Sequence, residues 1–399
     1  MKLIRNKISR PYFFLALLVC IVASTTVFAM LPQPLARIPL PFISQEPLPQ
    51  EFKRLEAVYQ ILQKEYIDQS KLENPEYLIE AAITSMLEAL DEPYTHYLNR
   101  DLYNLQTSQI QGSFVGIGAR VEKKNGSLIL HPMPGYPAEA AGLLNNDILL
   151  SINGMDAKTM SQTEVVMHIR GQPNTTVELQ IARDGVSNPI TIVIERNVIP
   201  LETIKLKDLE NGFIMLDISR FSRSTPGELK ELISNLDLNT VNGIVVDLRN
   251  NPGGLVESVV SVTGHFLNEK IIFHQVEKDG NQITHESNQD STLLKTVPLA
   301  VLVNKYSASA SEIFAGAIQD YKRGPIIGEK TFGKGSVGLL FELPGNTGLS
   351  VTSARWLTPL KNPIENIGIA PEIFIVDDQS TERDEALDRA LKYLAANRK

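Results

Sequence analysis

The sequence predicts a multidomain chain in which an α/β core follows a β-rich module and an N-terminal helical segment. With 399 residues and 43% apolar content, the chain can bury more than one hydrophobic core. The period of the apolar residues changes from helical to strand-like near Gly112. Beyond about Arg196, strands alternate with helices, which indicates an α/β domain.

The N-terminus has the layout of an export segment. Four basic residues lie within the first ten positions, and Phe13 to Met30 follow without a charge. A cleaved signal peptide and a membrane anchor both fit residues 1–30, and a buried helix of a soluble core is a weaker alternative. We expect the rest of the chain to be extracytoplasmic, either anchored to the membrane or secreted into the cell envelope. The single cysteine, Cys20, lies in this run, which excludes disulfides and thiol nucleophiles from the exported part.

The next two segments are a linker and a helical region. Residues 31–50 contain six prolines, which fix backbone angles and remove donors, so an extended linker is expected. Residues 51–110 form the predicted helical region, since apolar residues recur at three and four positions from Phe52 to Leu90. This spacing predicts two amphipathic helices.

The remaining chain divides into three parts. Residues 111–197 form the β-rich module, residues 198–378 the α/β core, and residues 379–399 a C-terminal helical part. The predicted strands are 128–130, 148–152 and 177–181 in the module, and 243–248 and 299–303 in the core. The predicted helices are 162–169 in the module, 255–266 and 312–321 in the core, and 382–394 at the end.

Charge and histidine spacing exclude some classes of function. The formal charge is −8 with both signs mixed, so no basic stripe is available for nucleic acid. The six histidines fall in no metal-binding spacing, and we expect neither a metal nor a cofactor.

A hydroxyl at a predicted helix N-terminus is the first candidate catalytic group. The strand 299–303 leads into Ser307-Ala308-Ser309-Ala310-Ser311-Glu312, and a helix follows. Unpaired backbone N–H groups at such an N-terminus can hold an oxyanion. The same pattern also fits a capping box, in which Ser309 and Glu312 only satisfy backbone donors.

A lysine between two glycines is the second candidate. Lys334 lies in Thr331-Phe332-Gly333-Lys334-Gly335-Ser336. Base chemistry would require burial that lowers its pKa, whereas a solvated surface charge is the ordinary alternative. A third segment, 247–254, ends in Asn250-Asn251-Pro252-Gly253-Gly254, where free amides could complete an oxyanion hole or form an ordinary turn.

Together these segments resemble the carboxyl-terminal processing peptidases, also called tail-specific proteases, which are serine proteases with a Ser/Lys dyad. The resemblance implies Ser309 as the nucleophile and Lys334 as the base. It implies oxyanion donors at the N–H of Ala310 and at Gly253 or Gly254.

The sequence departs from this family at residue 338. The family usually carries a glutamine there that orients the lysine amine, whereas this chain has Gly338. Residues two apart on a strand share a face, so we expect Ser336 to point toward Lys334 and to substitute in part.

The β-rich module resembles bacterial PDZ domains, which bind a peptide's C-terminal tail as an added strand. The resemblance is carried by Pro137–Leu143 and Asp147–Gly154, together with a glycine-containing turn before the edge-strand candidate at 119–122. Core packing remains the alternative for Phe114, Val115 and Ile117. The predicted peptide-binding residues are Phe114, Val115, Gly116, Ile117 and Arg170.

The resemblance implies a serine endopeptidase that selects protein or peptide substrates by an apolar C-terminus and cleaves them in the cell envelope. Arg170 matches a position that in relatives can link the PDZ domain to the catalytic centre, although a helix-end arginine needs no such role. The alternative is a catalytically weak scaffold that binds peptide tails. A lysine-assisted amidase or esterase is a further reading, and the oligomeric state and natural substrate stay open.

Overall fold

A computed structural model describes residues 49–124, 126–268, 271–287, 294–376 and 383–397. The predicted export segment, Cys20 and nearly all of the predicted linker lie outside these residues. Among the described residues, no helix combines the length and the apolar character needed to cross a bilayer.

The chain divides into two compact units, of which the first comprises residues 1–67 and 340–342. Its described part contains helix α1 (Lys53–Glu65). The apolar residues Leu55, Val58 and Ile61 recur at helical spacing and are exposed. The first of the two predicted amphipathic helices is therefore present.

The second unit comprises residues 68–339 and 343–399, and it begins with α2 (Pro75–Glu88), β1 (His96–Leu98) and α3 (Arg100–Gln111). Asn74 caps α2 by accepting the Glu76 N–H at 3.2 Å, and Asn99 caps α3 in the same way. Helix α2 confirms the second predicted helix. Neither β1 nor α3 was predicted.

The elements of the β-rich module are β2 (Ser113–Gly116), β3 (Ala119–Lys124), β4 (Ser127–Pro132), α4 (Pro137–Ala140), β5 (Asp147–Ile152), β6 (Met155–Asp156), α5 (Gln162–Ile169), β7 (Thr176–Ala182), β8 (Ile190–Glu195) and β9 (Asn197–Pro200). Its antiparallel sheet has the order β3-β4-β5-β7-β8, with β6 paired to β5. A separate ribbon pairs β2 with β9, and Phe114 lies opposite Ile199. The predicted strands and the helix at 162–169 are confirmed.

The elements that build the α/β core and its second sheet are β10 (Ile204–Asp208), β11 (Phe213–Ile218), α6 (Thr225–Ser234), β12 (Gly243–Asp247), α7 (Val256–Gly264), β13 (Ile271–Glu277), β14 (Gln282–Glu286), β15 (Leu299–Val303), α8 (Ala310–Asp320), β16 (Ile326–Gly328), β17 (Ser336–Leu343), β18 (Thr347–Leu357), β19 (Ile373–Phe374) and α9 (Glu385–Ala396). The core sheet has six strands in the order β10-β11-β12-β15-β16-β19. Only β10 pairs antiparallel, and the other neighbours are parallel.

Helices cover both faces of the core sheet. Strand residues alternate between the faces, so Ile244 and Val246 pack with α6, α7 and α8, whereas Val245 packs with α9. This explains why the parallel strands read as continuous apolar runs in the sequence. The predicted core strands, core helices and C-terminal helix are all present.

A second sheet joins parts of the chain that are far apart in sequence. Its order is β1-β18-β13-β14, and β17 also pairs with β18. Strand β1 is antiparallel to β18, with His96 opposite Ser350. Through this pairing the segment before α3 lies beside β18, the second strand after the candidate lysine.

Candidate active site

The candidate catalytic segments follow three neighbouring parallel strands. Strand β12 leads into the turn at 248–254, β15 leads to Ser309, and β16 leads to Lys334. Carboxyl ends of parallel strands meet at one edge of a sheet, which is where α/β proteins place their sites. The topology therefore brings together the segments that the sequence singled out.

Ser309 lies between β15 and α8 in a strained backbone conformation. Its φ is 55° and its ψ is −114°, which a non-glycine residue rarely adopts. Buried contacts hold the segment: Ser307 Oγ donates to Leu248 O at 2.8 Å, and the Ala308 N–H donates to Asn251 O at 3.0 Å. Surrounding hydrogen bonds thus fix the position of the candidate nucleophile.

A fully buried carboxylate, Glu312, connects the serine and lysine segments. It accepts the N–H of Ser309 at 2.8 Å and the N–H of Lys334 at 2.9 Å. It also accepts the N–H of Gly333 and the hydroxyl of Thr331, both at 2.6 Å. Burial raises the pKa of Glu312, and these hydrogen bonds oppose the rise. The capping-box pattern identified Glu312 at the helix start, but nothing in it revealed the contacts with residues 331–334.

The backbone of the lysine segment is tightly packed. The Trp356 indole Nε1 donates to Lys334 O at 3.0 Å. A Cβ at Gly335 would lie 2.3 Å from the Glu365 nitrogen, and Gly333 has a φ of 92°. The two glycines therefore allow close backbone approach, as the sequence suggested.

The Lys334 side chain is half-buried and reaches an aromatic ring. Its Nζ lies 4.7 Å from the ring centroid of Tyr94, within the range of a cation–π contact. Burial lowers the pKa of the Lys334 amine, whereas the carboxylates of Glu92, Glu365 and Glu312 oppose this shift. In the part of the chain that the structure describes, no hydrogen bond joins Lys334 Nζ to Ser309 Oγ.

The expected partner of the lysine amine does not bond to it here. Ser336 is 4% exposed, and its Oγ has no hydrogen-bond partner among the described residues. Gly338 is exposed, and a Cβ there would meet only ordinary contacts with Ser350 and Val351. Instead, the amine lies over the ring of Tyr94, a residue that no sequence pattern singled out.

The candidate oxyanion donors differ in availability. Ala310 is the first residue of α8, where N–H groups lack a partner within the helix. The Gly253 N–H donates to Asn251 Oδ1 at 2.8 Å, so it is already engaged. A Cβ on Gly253 would lie 2.9 Å from the Ala310 nitrogen, which places this turn directly against the serine segment. Of the two glycines, Gly254 remains for the role.

The predicted peptide-binding residues of the module fall into different environments. Ile117 is 1% exposed and belongs to the module core, as the core-packing alternative expected. Phe114 and Val115 are half-buried on β2, and Gly116 is buried. The edge-strand candidate is β3, which pairs with β4 at one end of the sheet.

Arg170 ends helix α5 and is half-buried. Its guanidinium carbon lies 4.7 Å from the ring centroid of Phe114, and burial lowers the pKa of the guanidinium. Its Nε is buried with no hydrogen-bond partner among the described residues. Arg170 therefore connects α5 to β2.

The chain matches models of three protein families along its length. Residues 213–375 match peptidase family S41, residues 128–183 match a PDZ domain, and residues 42–102 match the N-terminal domain of the activating protease CtpB. The matched segments fall in the α/β core, the β-rich module and the N-terminal region.

Two known proteins of similar sequence are likewise CtpA or CtpA-like proteases. The chain is 35% identical over 325 residues to the carboxy-terminal processing protease CtpA of Bacillus subtilis (strain 168), a match that covers 81% of this chain and 68% of that protein. It is 37% identical over 325 residues to a probable CtpA-like serine protease of Staphylococcus saprophyticus, covering 81% of this chain and 65% of the relative. The chain thus spans about two thirds of the length of these relatives.

Among solved structures, a photosystem II D1 C-terminal processing protease is 26% identical, with a TM-score of 0.48. The match covers 85% of this chain and 96% of that chain.

The sequence matches extend through the N-terminal, PDZ and core regions. The chain therefore belongs to peptidase family S41, the family of the carboxy-terminal processing serine proteases, and carries its PDZ domain.

Proposed function

We propose that this chain is an extracytoplasmic serine endopeptidase in which Ser309 is the nucleophile and Lys334 is the general base. The observation that carries this proposal is the buried carboxylate of Glu312, which accepts an N–H from each of these two residues. One side chain therefore fixes the backbones of both catalytic groups. A serine that only capped the helix, or a lysine that was only solvated, would not require one carboxylate that bonds to both backbones.

The proposed reaction is acyl transfer to Ser309. Lys334 Nζ, as a neutral amine, takes the proton of Ser309 Oγ while the oxygen attacks the peptide carbonyl. The resulting ammonium then protonates the leaving amine, and a water releases the acyl-enzyme. Burial favours the neutral amine that this step needs. The reaction also requires Lys334 Nζ to come within hydrogen-bonding distance of Ser309 Oγ.

The oxyanion of the tetrahedral intermediate would be held by backbone N–H groups. We assign these donors to Ala310, at the start of α8, and to Gly254, because the Gly253 N–H is engaged by Asn251. The dipole of α8 adds a partial positive charge at this position. Such donors stabilise charge that develops in the transition state.

We assign substrate selection to the PDZ domain. Its edge strand β3 can pair with an extended peptide, so an apolar C-terminal tail would bind there as an added strand. Arg170 joins α5 to the Phe114 ring on β2. A shift of α5 on tail binding would therefore be passed to the β2–β9 ribbon. The expected substrates are envelope proteins, and the N-terminal segment would supply the membrane contact.

A tail-binding scaffold of low catalytic activity is the second candidate. It is favoured by the lack of a hydrogen bond between Lys334 Nζ and Ser309 Oγ in the described residues, and by Gly338, which has no side-chain amide to offer to the lysine. A scaffold would bind tail peptides without turnover.

Digestion of casein and of matched peptides with and without an apolar tail separates these candidates. Wild-type protein should cleave, with tail-bearing peptides preferred, while Ser309→Ala and Lys334→Ala should lose at least about a thousandfold in kcat. Lys330→Ala, an exposed lysine in the same loop, should cleave normally. Persistent hydrolysis in folded Ser309→Ala protein would contradict the proposal, and tail binding without any wild-type turnover would establish the scaffold.

A further inference from the structure

The end of the Lys334 side chain is held in a different way from its backbone. The backbone bonds to Glu312 and Trp356, but in the described part of the chain the Nζ makes no hydrogen bond. Its close contact is the face of the Tyr94 ring, 4.7 Å from the centroid. A half-buried amine that lacks hydrogen-bond partners needs another source of stabilisation when it is charged.

We propose that Tyr94 is the positioning residue for the Lys334 amine, in the role that a side-chain amide at residue 338 would otherwise take. This inference rests on the proposed function, since it assigns a partner to the proposed base. The positioning group is the ring of Tyr94 rather than its hydroxyl, because Lys334 Nζ lies over the ring face.

The backbone segments that carry Tyr94 and Lys334 both form hydrogen bonds with strand β18, so the fold itself brings the two residues together. Thr95, the residue after Tyr94, accepts the Thr352 N–H of β18 through its Oγ1 at 3.1 Å. Farther along β18, Trp356 donates its backbone N–H to Gly335 O at 2.9 Å. Because one strand holds both backbone segments, the Tyr94 ring and the base of the Lys334 side chain stay close together, while the amine itself can still adjust.

The turn before β1 also fixes the ring. The Tyr94 N–H donates to Glu92 Oε1 at 3.1 Å, and β1 then pairs with β18 from His96 onward. Tyr94 is half-buried, and burial, followed by the charges of Glu365, Glu312 and Glu92, raises the pKa of its hydroxyl. The ring therefore stays neutral and keeps the negative face that attracts a cation.

The ring also suits the chemistry of the base. When the proton of Ser309 Oγ moves to Lys334 Nζ, the amine becomes an ammonium. A ring face near this nitrogen stabilises the charge that forms, and it donates no hydrogen bond that would compete for the amine lone pair. An amide oxygen at residue 338 would serve the same end by accepting a hydrogen bond from the amine.

Steady-state peptide cleavage by Tyr94→Phe and Tyr94→Leu tests the assignment. Leucine removes the ring and leaves a smaller apolar side chain, so kcat should fall about tenfold while KM changes little. Phenylalanine keeps the ring and should retain kcat to within about twofold. Tyr97→Leu, three residues farther along in β1, is the matched control and should leave kcat unchanged. A folded Tyr94→Leu enzyme with wild-type kcat would overturn the proposal, as would equal losses in the Leu and Phe variants.

A second substitution distinguishes positioning from a structural effect. Gly338 is exposed and has room for a side chain, so Gly338→Gln can supply the amide. We expect it to restore most of the kcat lost in Tyr94→Leu and to change the wild type little, which is a coupling that a packing role would not produce. No recovery in the double variant would remove the claim that the ring replaces an amide.

Two further controls keep the test decisive. If Tyr94→Leu does not fold, a ring-fluorinated phenylalanine at position 94 weakens the negative ring face at nearly constant shape, and kcat should then fall below that of Tyr94→Phe. An unchanged kcat would contradict the proposal. Hydrolysis that survives in Ser309→Ala and Lys334→Ala would instead refute the proposed function. If both of these variants lose hydrolysis while Tyr94→Leu keeps full kcat, only the Tyr94 assignment is refuted.

Discussion

The serine and lysine segments of the candidate site are held in different ways. Around Ser309, buried hydrogen bonds fix both the backbone and the neighbouring side chains. Ser307 Oγ and Ser311 Oγ donate to carbonyls of the 248–254 turn, at 2.8 and 2.9 Å. Around Lys334, hydrogen bonds fix the backbone, while the amine makes no hydrogen bond within the described residues and lies over the face of Tyr94.

The difference shows which group is free to adjust. A serine in a strained conformation persists only when its surroundings determine it, and four buried contacts of the 307–312 segment do so. A lysine side chain has several rotatable bonds, and a ring face holds its charge without fixing a single direction. We therefore expect substitutions near the serine to cost stability and activity together, and those near the amine to change the chemistry with little effect on folding.

Apart from the proposed nucleophile and base themselves, the largest effect is expected at Gly254 on the serine side. Its φ is 148°, and a Cβ there would lie 2.0 Å from Phe221 O. Gly254→Ala should therefore displace the turn that supplies an oxyanion donor, lower kcat at least about hundredfold and cost about 2–4 kcal/mol of unfolding free energy. Urea unfolding and peptide cleavage would measure both.

Gly227→Ala is the control for that substitution. Gly227 lies in α6, and a Cβ there would meet open space. This variant should keep full activity and gain up to about 1 kcal/mol of stability, because alanine favours a helix over glycine. Wild-type turnover in Gly254→Ala would show that this turn supplies no essential donor.

An intermediate effect is expected at Glu312, which joins the two segments. In Glu312→Gln the amide nitrogen would face hydrogen-bond donors, so at least one contact with Ser309, Thr331 or residues 333–334 is lost. We expect a loss of about 2–4 kcal/mol in unfolding free energy and a fall of about tenfold to hundredfold in kcat.

Glu329→Gln is the matched control, because Glu329 is a half-exposed carboxylate in the loop that carries Thr331 and Lys334. It should change neither stability nor kcat measurably. If Glu312→Gln loses stability but keeps wild-type kcat, Glu312 anchors the fold without aligning the two catalytic residues.

The sequence predicted the serine side of this comparison better than the lysine side. A strand, a run of small residues and a helix predicted the position of Ser309, and β15 and α8 occupy those places. These signals are local, because adjacent residues create them. The engagement of the Gly253 N–H by Asn251 depends on the geometry of one turn and has no such signal.

The surroundings of the lysine amine depend on pairing between distant segments. Tyr94 reaches Lys334 because β1 pairs with β18, and β1 has only three residues, too few for a periodic pattern. The expectation that Ser336 would point toward the amine assumed a strand that includes Lys334, whereas β17 begins at Ser336. Its buried Oγ has no partner among the described residues, so alternation alone did not identify the contact.

The smallest effect is expected from the carboxylates near the amine, and it should appear in the pH profile. The amine faces Tyr94, Glu92, Glu365 and Glu312, and the three carboxylates favour its charged form. Glu92→Gln removes one negative charge but keeps an oxygen that can accept the Tyr94 N–H. The pKa of Lys334 should then fall, so a larger fraction of the base is neutral at any given pH.

The acid limb of kcat/KM, measured against pH for a neutral peptide, should therefore move to lower pH in Glu92→Gln. Glu365→Gln should move it in the same direction, because that carboxylate opposes the effect of burial in the same way. Glu88→Gln, an exposed carboxylate at the end of α2, should leave the limb in place. A limb that stays fixed in both Glu92→Gln and Glu365→Gln would mean that the titrating group is not Lys334, since removing a nearby negative charge must lower the pKa of a cationic acid.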